Sequence, residues 1–295
     1  MIKAMSCFAT DMITEYCHGL SYNFLSEPEF ENSISEAMKG GLQMAPILRR
    51  LPWLADVLGA LPPKAVLAMA PGMHGFIRCK RDIHARVIEL QQELAKDPEK
   101  QSAKGIVGST VMQEILLGDL PEAEKESMRV SDEAAALIGA GTETVSWTLS
   151  VTLFHLLDQP DVLHKLREEL LKVAKSPEEI PSWSTLEKIP YLSAVIAEGL
   201  RCANGVISRL ARAPHEPLLY SHTNKNGKHL EYILKPGTNI GMSSYLIHRD
   251  PKIFPNADLF DPERWLDQNT GLRHHNLDSY LLAFSKGSRS CIGIK

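Results

Sequence analysis

The sequence predicts a mainly α-helical fold with a small β-sheet, an α+β arrangement, and three observations predict it. Helical apolar spacing broken by prolines runs up to about Leu120. The stretch Ala134 to Leu157 is too long for a strand, and Glu143 and His155 are its only ionisable residues. After Asn204 the texture changes to short strand-like runs separated by turn signals.

In chain order, residues 1–130 read as helices: one through Thr10 to Leu20, one near Glu29 to Leu42, then the proline-broken LPWLADVLGALPPKAVLAMAPGMHGF. A charged amphipathic helix follows at roughly Ile77 to Lys96 and ends before DPEK. The long central helix is expected over 131–158, capped by Ser131 or Asp132 and closed by Gln159-Pro160. At 1.5 Å per residue it would run on the order of 40 Å, so it has to cross the interior. QPDVLHKLREELLKVAK reads as a surface helix, and PYLSAVIAEGLRCAN as a shorter one opened by Pro190. NKNGKHLEYILKPGTNIGMSSYLIH gives two or three short strands around Asn226-Gly227 and Pro236-Gly237. From Phe254 onward there is little periodicity and much turn chemistry, and so long an irregular segment in a compact domain is usually functional. Residues 1–295 read as a single domain, with 190–295 holding the shorter helix, the sheet and the final loop.

With 44% hydrophobic and 23% charged residues, the chain can build a core. A net charge of −4 and a sequence pI of about 6.3 leave no basic face for nucleic acid, so a small ligand is the expected partner. The five cysteines (Cys7, Cys17, Cys79, Cys202, Cys291) are odd in number, far apart and never in a CxxC pair. That argues against a disulfide framework or a zinc finger and for a reducing compartment. The opening MIKAMSCFATDMITEYCHG lacks the features of a signal peptide and reads as the middle of a domain. The Ala134 to Leu157 stretch is the most membrane-like, but its central carboxylate and its Ser, Thr and Gly residues favour a buried helix over a transmembrane anchor.

Four places carry candidate chemistry. Gly139-Ala140-Gly141-Thr142-Glu143-Thr144 weakens the centre of a helix, and a threonine hydroxyl bonding back one turn can open a groove there; close packing through small residues is the alternative. Glu198 and Arg201, three apart among Val195, Ile196, Ala197 and Leu200, form a pair that burial obliges to find further partners. Arg264, in Asp261-Pro262-Glu263-Arg264-Trp265, can join that pair, or the segment is a solvated turn. Finally, FSKGSRSCIG sets Cys291 among Gly287 and Gly293, with Arg289 two residues before it and Phe284 able to shield the sulfur. A glycine-rich turn can aim backbone amides at a thiolate metal ligand, though a buried inert cysteine is the commoner fate.

Taken together, AGTET at 140–144, ExxR at 198–201, PERW at 262–265 (Phe being commoner in last place) and FxxGxRxCxG at 284–293 resemble, in order, the motifs of the cytochrome P450 superfamily, the haem-thiolate monooxygenases. SYNFL at Ser21 to Leu25 and the helix texture are most similar to filamentous-fungal members of secondary metabolism. The resemblance implies a partial cytochrome P450 fold, with haem b held by the Cys291 thiolate, which favours O–O cleavage. It implies Arg289 and Arg212, rather than Arg209, on the propionates, Phe284, Gly287 and Gly293 shaping the loop, and a structural triad of Glu198, Arg201 and Arg264. Thr144, helped by Glu143, would organise proton delivery to dioxygen. Ala136, Gly139, Ala140, Val206, Ile207 and Ser208 would approach the substrate. The implied reaction places one atom of O2 in a small lipophilic molecule, with electrons from NADPH through a flavoprotein reductase, in the cytoplasm or at the endoplasmic reticulum surface. Set beside the family's pattern, the expectation is of a chain without the family's anchor and further residues before residue 1 and without the long helix after the cysteine loop. The expectation for these 295 residues alone is weak or absent haem binding, the alternative function being a silent fragment acting at most as an interaction protein. A cysteine hydrolase pairing Cys291 with His248 or His274 lacks a nucleophile elbow and explains none of the other motifs.

Overall fold

The computed structural model describes residues 1–62, 65, 66, 74–96, 109–174, 176, 179–208 and 210–294. The chain divides into two compact units, 1–150 and 151–295.

The first unit is helical. α1 (Ile2–His18) ends at Gly19, whose left-handed backbone (φ 71) lets its N–H reach the Glu15 carbonyl. It begins at Ile2 rather than Thr10, because the small residues Ser6, Ala9 and Thr10 supply a buried face that apolar spacing does not reveal. α2 (Ser33–Arg50) starts where the Asn32 side chain accepts the Ser35 N–H at 2.9 Å, which sets its beginning after Glu29. α3 (Trp53–Ala60) and α4 (His74–Lys96) follow; DPEK and part of the proline-broken stretch lie outside the described residues. α5 (Val111–Leu117) opens with a capping box between Thr110 and Gln113.

α6 (Ser127–Asp158) is the long helix, and the boundary between the units falls within it. It starts before 131 because both expected caps are engaged elsewhere. Ser131 Oγ donates back to the Ser127 carbonyl and meets His84 Nδ1 at 2.9 Å, and Asp132 pairs with Lys80 at 2.7 Å. Val130, Ala134, Ile138, Thr142, Ser146 and Ser150 recur every four residues and are buried, joining Met38, Ile83, Val87, Leu90 and Met112 in the unit's interior. Ala136, Ala140, Thr144 and Trp147 lie exposed on another face, so within this unit the helix is buried along one side rather than all round.

In the second unit, α7 (Pro160–Leu171), α8 (Trp183–Leu186) and α9 (Pro190–Ala203) precede a hairpin of β1 (Leu218–Thr223) and β2 (His229–Leu234), antiparallel with Tyr220 opposite Tyr232. Asn224 Oδ1 accepts the N–H groups of Asn226 and Lys228 at 3.0 Å each, and Gly227 (φ 74) supplies the positive φ of the turn. The possible third strand is reduced to one bridge, Arg212 with Ile240, since Pro214 and Pro217 remove ladder donors. α10 (Ser244–His248) leads into irregular chain with short 3-10 turns at Pro262–Trp265, Asp278–Tyr280, Gly287–Arg289 and Ile292–Ile294. The interior here is Leu156, Leu166, Tyr191, Ala194, Val195, Phe254, Phe260 and Trp265. Among the described residues no helix is long and apolar enough to cross a membrane.

Candidate functional site

The most tightly built feature is the carboxylate of Glu198. A spacing of three on α9 places it beside Arg201, and both are fully buried among Ala194, Val195 and Ala197. Arg201 donates from Nε to Oε2 and from Nη2 to Oε1, each at 2.8 Å, a two-pronged pairing. Arg264 Nε adds a bond to Oε1 at 3.1 Å, the Asp261 N–H another at 2.9 Å, and Trp265 Nε1 reaches Oε2 at 2.9 Å. The remaining Arg201 donors meet the carbonyls of His248 and Ala257 at 2.8 Å and of Leu259 at 2.9 Å. Burial alone would raise the Glu198 carboxyl, but the hydrogen bond and charge of Arg201, helped by the Asp261 amide and Arg264, hold it below its usual value. The PERW turn forms because Pro262 opens it and the Asp261 side chain accepts the Glu263 N–H at 3.0 Å. A tryptophan in last place contributes an indole donor to the network that a phenylalanine would lack. Gly199 is required by packing: a Cβ would lie 2.1 Å from Thr152 Oγ1.

The cysteine loop is exposed where the network is buried. Cys291 is an exposed free thiol whose N–H donates to the Phe284 carbonyl at 2.8 Å. Ser285 (φ 59) and Gly287 (φ 79) turn the chain through left-handed conformations, and Ser290 N–H closes on the Gly287 carbonyl at 3.0 Å. A Cβ on Gly293 would meet Sγ at 3.8 Å, an ordinary contact. Phe284 and Gly287 line a cavity of about 550 Å³ with Arg273, Asp278, Leu281 and Ile294. Arg289 is exposed with no acidic partner among the described residues. Arg212 is also exposed, and its Nη1 meets the carbonyls of Leu210 and Ala211 at 3.4 and 3.2 Å. Val206, Ile207 and Ser208 are exposed after α9, where Ser243 Oγ holds the Ile207 carbonyl at 3.0 Å; Arg209 lies outside the described residues.

An exposed thiol on a glycine turn two residues from a guanidinium group with no carboxylate partner among the described residues has the chemistry to ligate a metal in an anionic cofactor through sulfur. His248 does not fit a hydrolase base. His248 is fully buried with both ring nitrogens engaged by backbone.

In the first unit, Thr144 is exposed on α6 and its hydroxyl donates to the Ala140 carbonyl at 2.6 Å, while Thr148 repeats the bond to Thr144 at 2.9 Å. The helix nonetheless runs unbroken, because the glycines are used for close packing. A Cβ on Gly139 would lie 2.8 Å from Met38 Sδ, and one on Gly141 2.6 Å from Ile13 Cγ1. A Cβ on Gly139 would therefore face the core, whereas Ala136 and Ala140, expected with it to approach the substrate, are exposed. Glu143 is half-buried and accepts from Ser35 Oγ at 2.5 Å. His248, which sequence reasoning named only as a hydrolase base, and Gly205, which it did not name, both contact the segment before Phe284.

The family model described as Cytochrome P450 matches residues 1–295. Similar curated proteins include Cytochrome P450 monooxygenase ppzE of Metarhizium majus, 36% identical over 99% of this chain and 62% of that protein. Cytochrome P450 monooxygenase sdnE of Sordaria araneosa is 33% identical over 100% of this chain and 56% of its own length. Cytochrome P450 monooxygenase orf4 of Eupenicillium brefeldianum is 35% identical over 98% and 54%. The chain thus spans little more than half the length of these relatives.

Proposed function

This chain belongs to the cytochrome P450 family, and we propose that it supplies the haem-thiolate and oxygen-handling residues of a fungal monooxygenase, its two units parts of one domain. The reaction consumes O2, NADPH and a proton, places one oxygen atom in a small lipophilic substrate of secondary metabolism, and reduces the other to water. A flavoprotein reductase delivers the electrons, in the cytoplasm or at the endoplasmic reticulum surface.

The observation that carries this reading is the exposed Cys291 on a glycine turn beside Arg289, which has no acidic partner among the described residues. Cys291 Sγ would hold the iron, and Arg289 and Arg212 the propionates. When bound, haem supplies the one-electron and O2 chemistry that side chains lack. The chain's own part is to hold and to deliver protons. Glu198, Arg201 and Arg264 support the loop as a structural triad. Thr144 has its own proton committed to the Ala140 carbonyl, so its oxygen lone pairs remain to accept from a water, which is how it would order proton delivery. Glu143 would relay through the hydroxyl of Ser35. Ala136 and Ala140 on the exposed stripe, and Val206, Ile207 and Ser208 after α9, would meet the substrate.

The test is turnover of a lipophilic metabolite extract with reductase, NADPH and isotopically heavy O2. One heavy oxygen atom per product molecule, absent with Cys291→Ala, supports the reading. Product carrying oxygen from water, or product formed equally by the variant, refutes it.

A further inference from the structure

The segment that leads into the cysteine loop, Leu282 and Ala283, is held at two points to which the proposed function gives no role. His248, at the end of α10, is 0% exposed. Its Nε2 lies 2.8 Å from the backbone nitrogen of Leu282. A backbone N–H can only donate, so Nε2 carries no proton, and the ring proton sits on Nδ1. Nδ1 donates to the Arg201 carbonyl at 3.1 Å, and Arg201 Nη1 returns a bond to the His248 carbonyl at 2.8 Å. Both polar atoms of a stiff ring are therefore committed to backbone, one on the helix of the Glu198 network and one on the approach to the cysteine.

The second point is Gly205 (φ 59), where a Cβ would come within 2.6 Å of the Ala283 carbonyl oxygen. That neighbour is backbone, which cannot swing aside as a side-chain tip can. From Leu282 the constraint continues through two bonds. Ser285 N–H closes on the Leu282 carbonyl at 2.9 Å, and the Phe284 carbonyl accepts the Cys291 N–H at 2.8 Å.

We propose that His248 is a positioning residue for the Cys291 sulfur: as the Nδ1–H tautomer it ties the Arg201 carbonyl to the Leu282 N–H and so fixes where the cysteine turn begins. The inference rests on the proposed function, since it takes Cys291 as the haem ligand. A ring that merely filled space would be replaceable by phenylalanine, whereas the tie needs an acceptor at the Nε2 position, which glutamine can present and phenylalanine cannot.

Wild type, His248→Phe and His248→Gln are compared by two readouts. The first is backbone amide exchange at Leu282 without haem; the second is the share of thiolate-type Soret band in the reduced, carbon monoxide-treated, haem-loaded protein. In His248→Phe, exchange at Leu282 rises roughly ten- to hundredfold, the worth of one buried donor left unpaired, and the thiolate band gives way to that of displaced or protonated sulfur. His248→Gln recovers most of both. Unchanged Leu282 protection in His248→Phe, an unchanged thiolate share, or a glutamine variant no better than phenylalanine overturns the inference. A wild type with no thiolate band refutes the proposed function instead, and the exchange comparison alone then decides whether His248 holds the loop.

Discussion

Replacing Glu198 by glutamine keeps the shape of the side chain and removes its charge, at a site where five N–H donors converge on two oxygens. Oε2 receives Arg201 Nε and Trp265 Nε1, and Oε1 receives Arg201 Nη2, Arg264 Nε and the Asp261 N–H. Whichever way the amide turns, its NH2 group faces two or three donors in place of an acceptor. Removing one side of a buried ion pair costs about 3 to 5 kcal/mol, and each orphaned buried donor adds about 1 to 3 kcal/mol. Against a typical total stability of roughly 5 to 15 kcal/mol, the second unit should lose most of its cooperative unfolding. The assay is urea unfolding together with amide exchange along α9, beside Glu263→Gln as control. Glu263 pairs with Lys165 at 2.6 Å at a half-exposed surface site, where such a pair is worth under about 1 kcal/mol. Glu198→Gln no more destabilising than Glu263→Gln would refute the reasoning.

Trp265→Phe keeps the buried ring against Phe254 but removes the indole donor to Glu198, and should cost about 1.5 to 3 kcal/mol in urea unfolding, with no such loss when Glu198 is already glutamine. Gly199→Ala forces a methyl group against Thr152 Oγ1 and should destabilise by about 1 to 3 kcal/mol, recovered in part by Thr152→Ala. Burial lowers the imidazole of His248 from 6.5 to about 4, so it stays neutral in the folded chain while the unfolded chain takes up a proton below 6.5. Its contribution is complete above that value and declines as pH falls toward 4, by about 2 kcal/mol at pH 5; a urea midpoint of the second unit flat between pH 7 and 5 would contradict this.

The Glu198 network was legible in the sequence because a spacing of three fixes a shared helix face, and an apolar surround makes a buried ion pair recruit more partners. The motif spacing of the cysteine turn likewise named Cys291, Arg289 and the glycines. The ties of His248 and the close approach at Gly205 were not legible, because their partners are backbone atoms of Leu282, Arg201 and Ala283, which no side-chain pattern records. That Gly139 packs on Met38 while Ala136 and Ala140 are exposed was not legible in the motif, because a run of small residues hides the phase of a helix. The four-residue recurrence of Val130, Ala134, Ile138 and Thr142 carries that phase in the sequence. The start of α6 was misplaced because Ser131 and Asp132 have the chemistry of caps but bond to Ser127, His84 and Lys80.

The most direct test of the central claim, that Cys291 presents a thiolate to haem iron, is the reduced carbon monoxide difference spectrum of protein carrying this chain, loaded with haem, beside Cys291→Ala. The account predicts a red-shifted thiolate-type Soret band in the wild type and its loss in the variant. The same band in both, or free-haem absorbance in both, would contradict it.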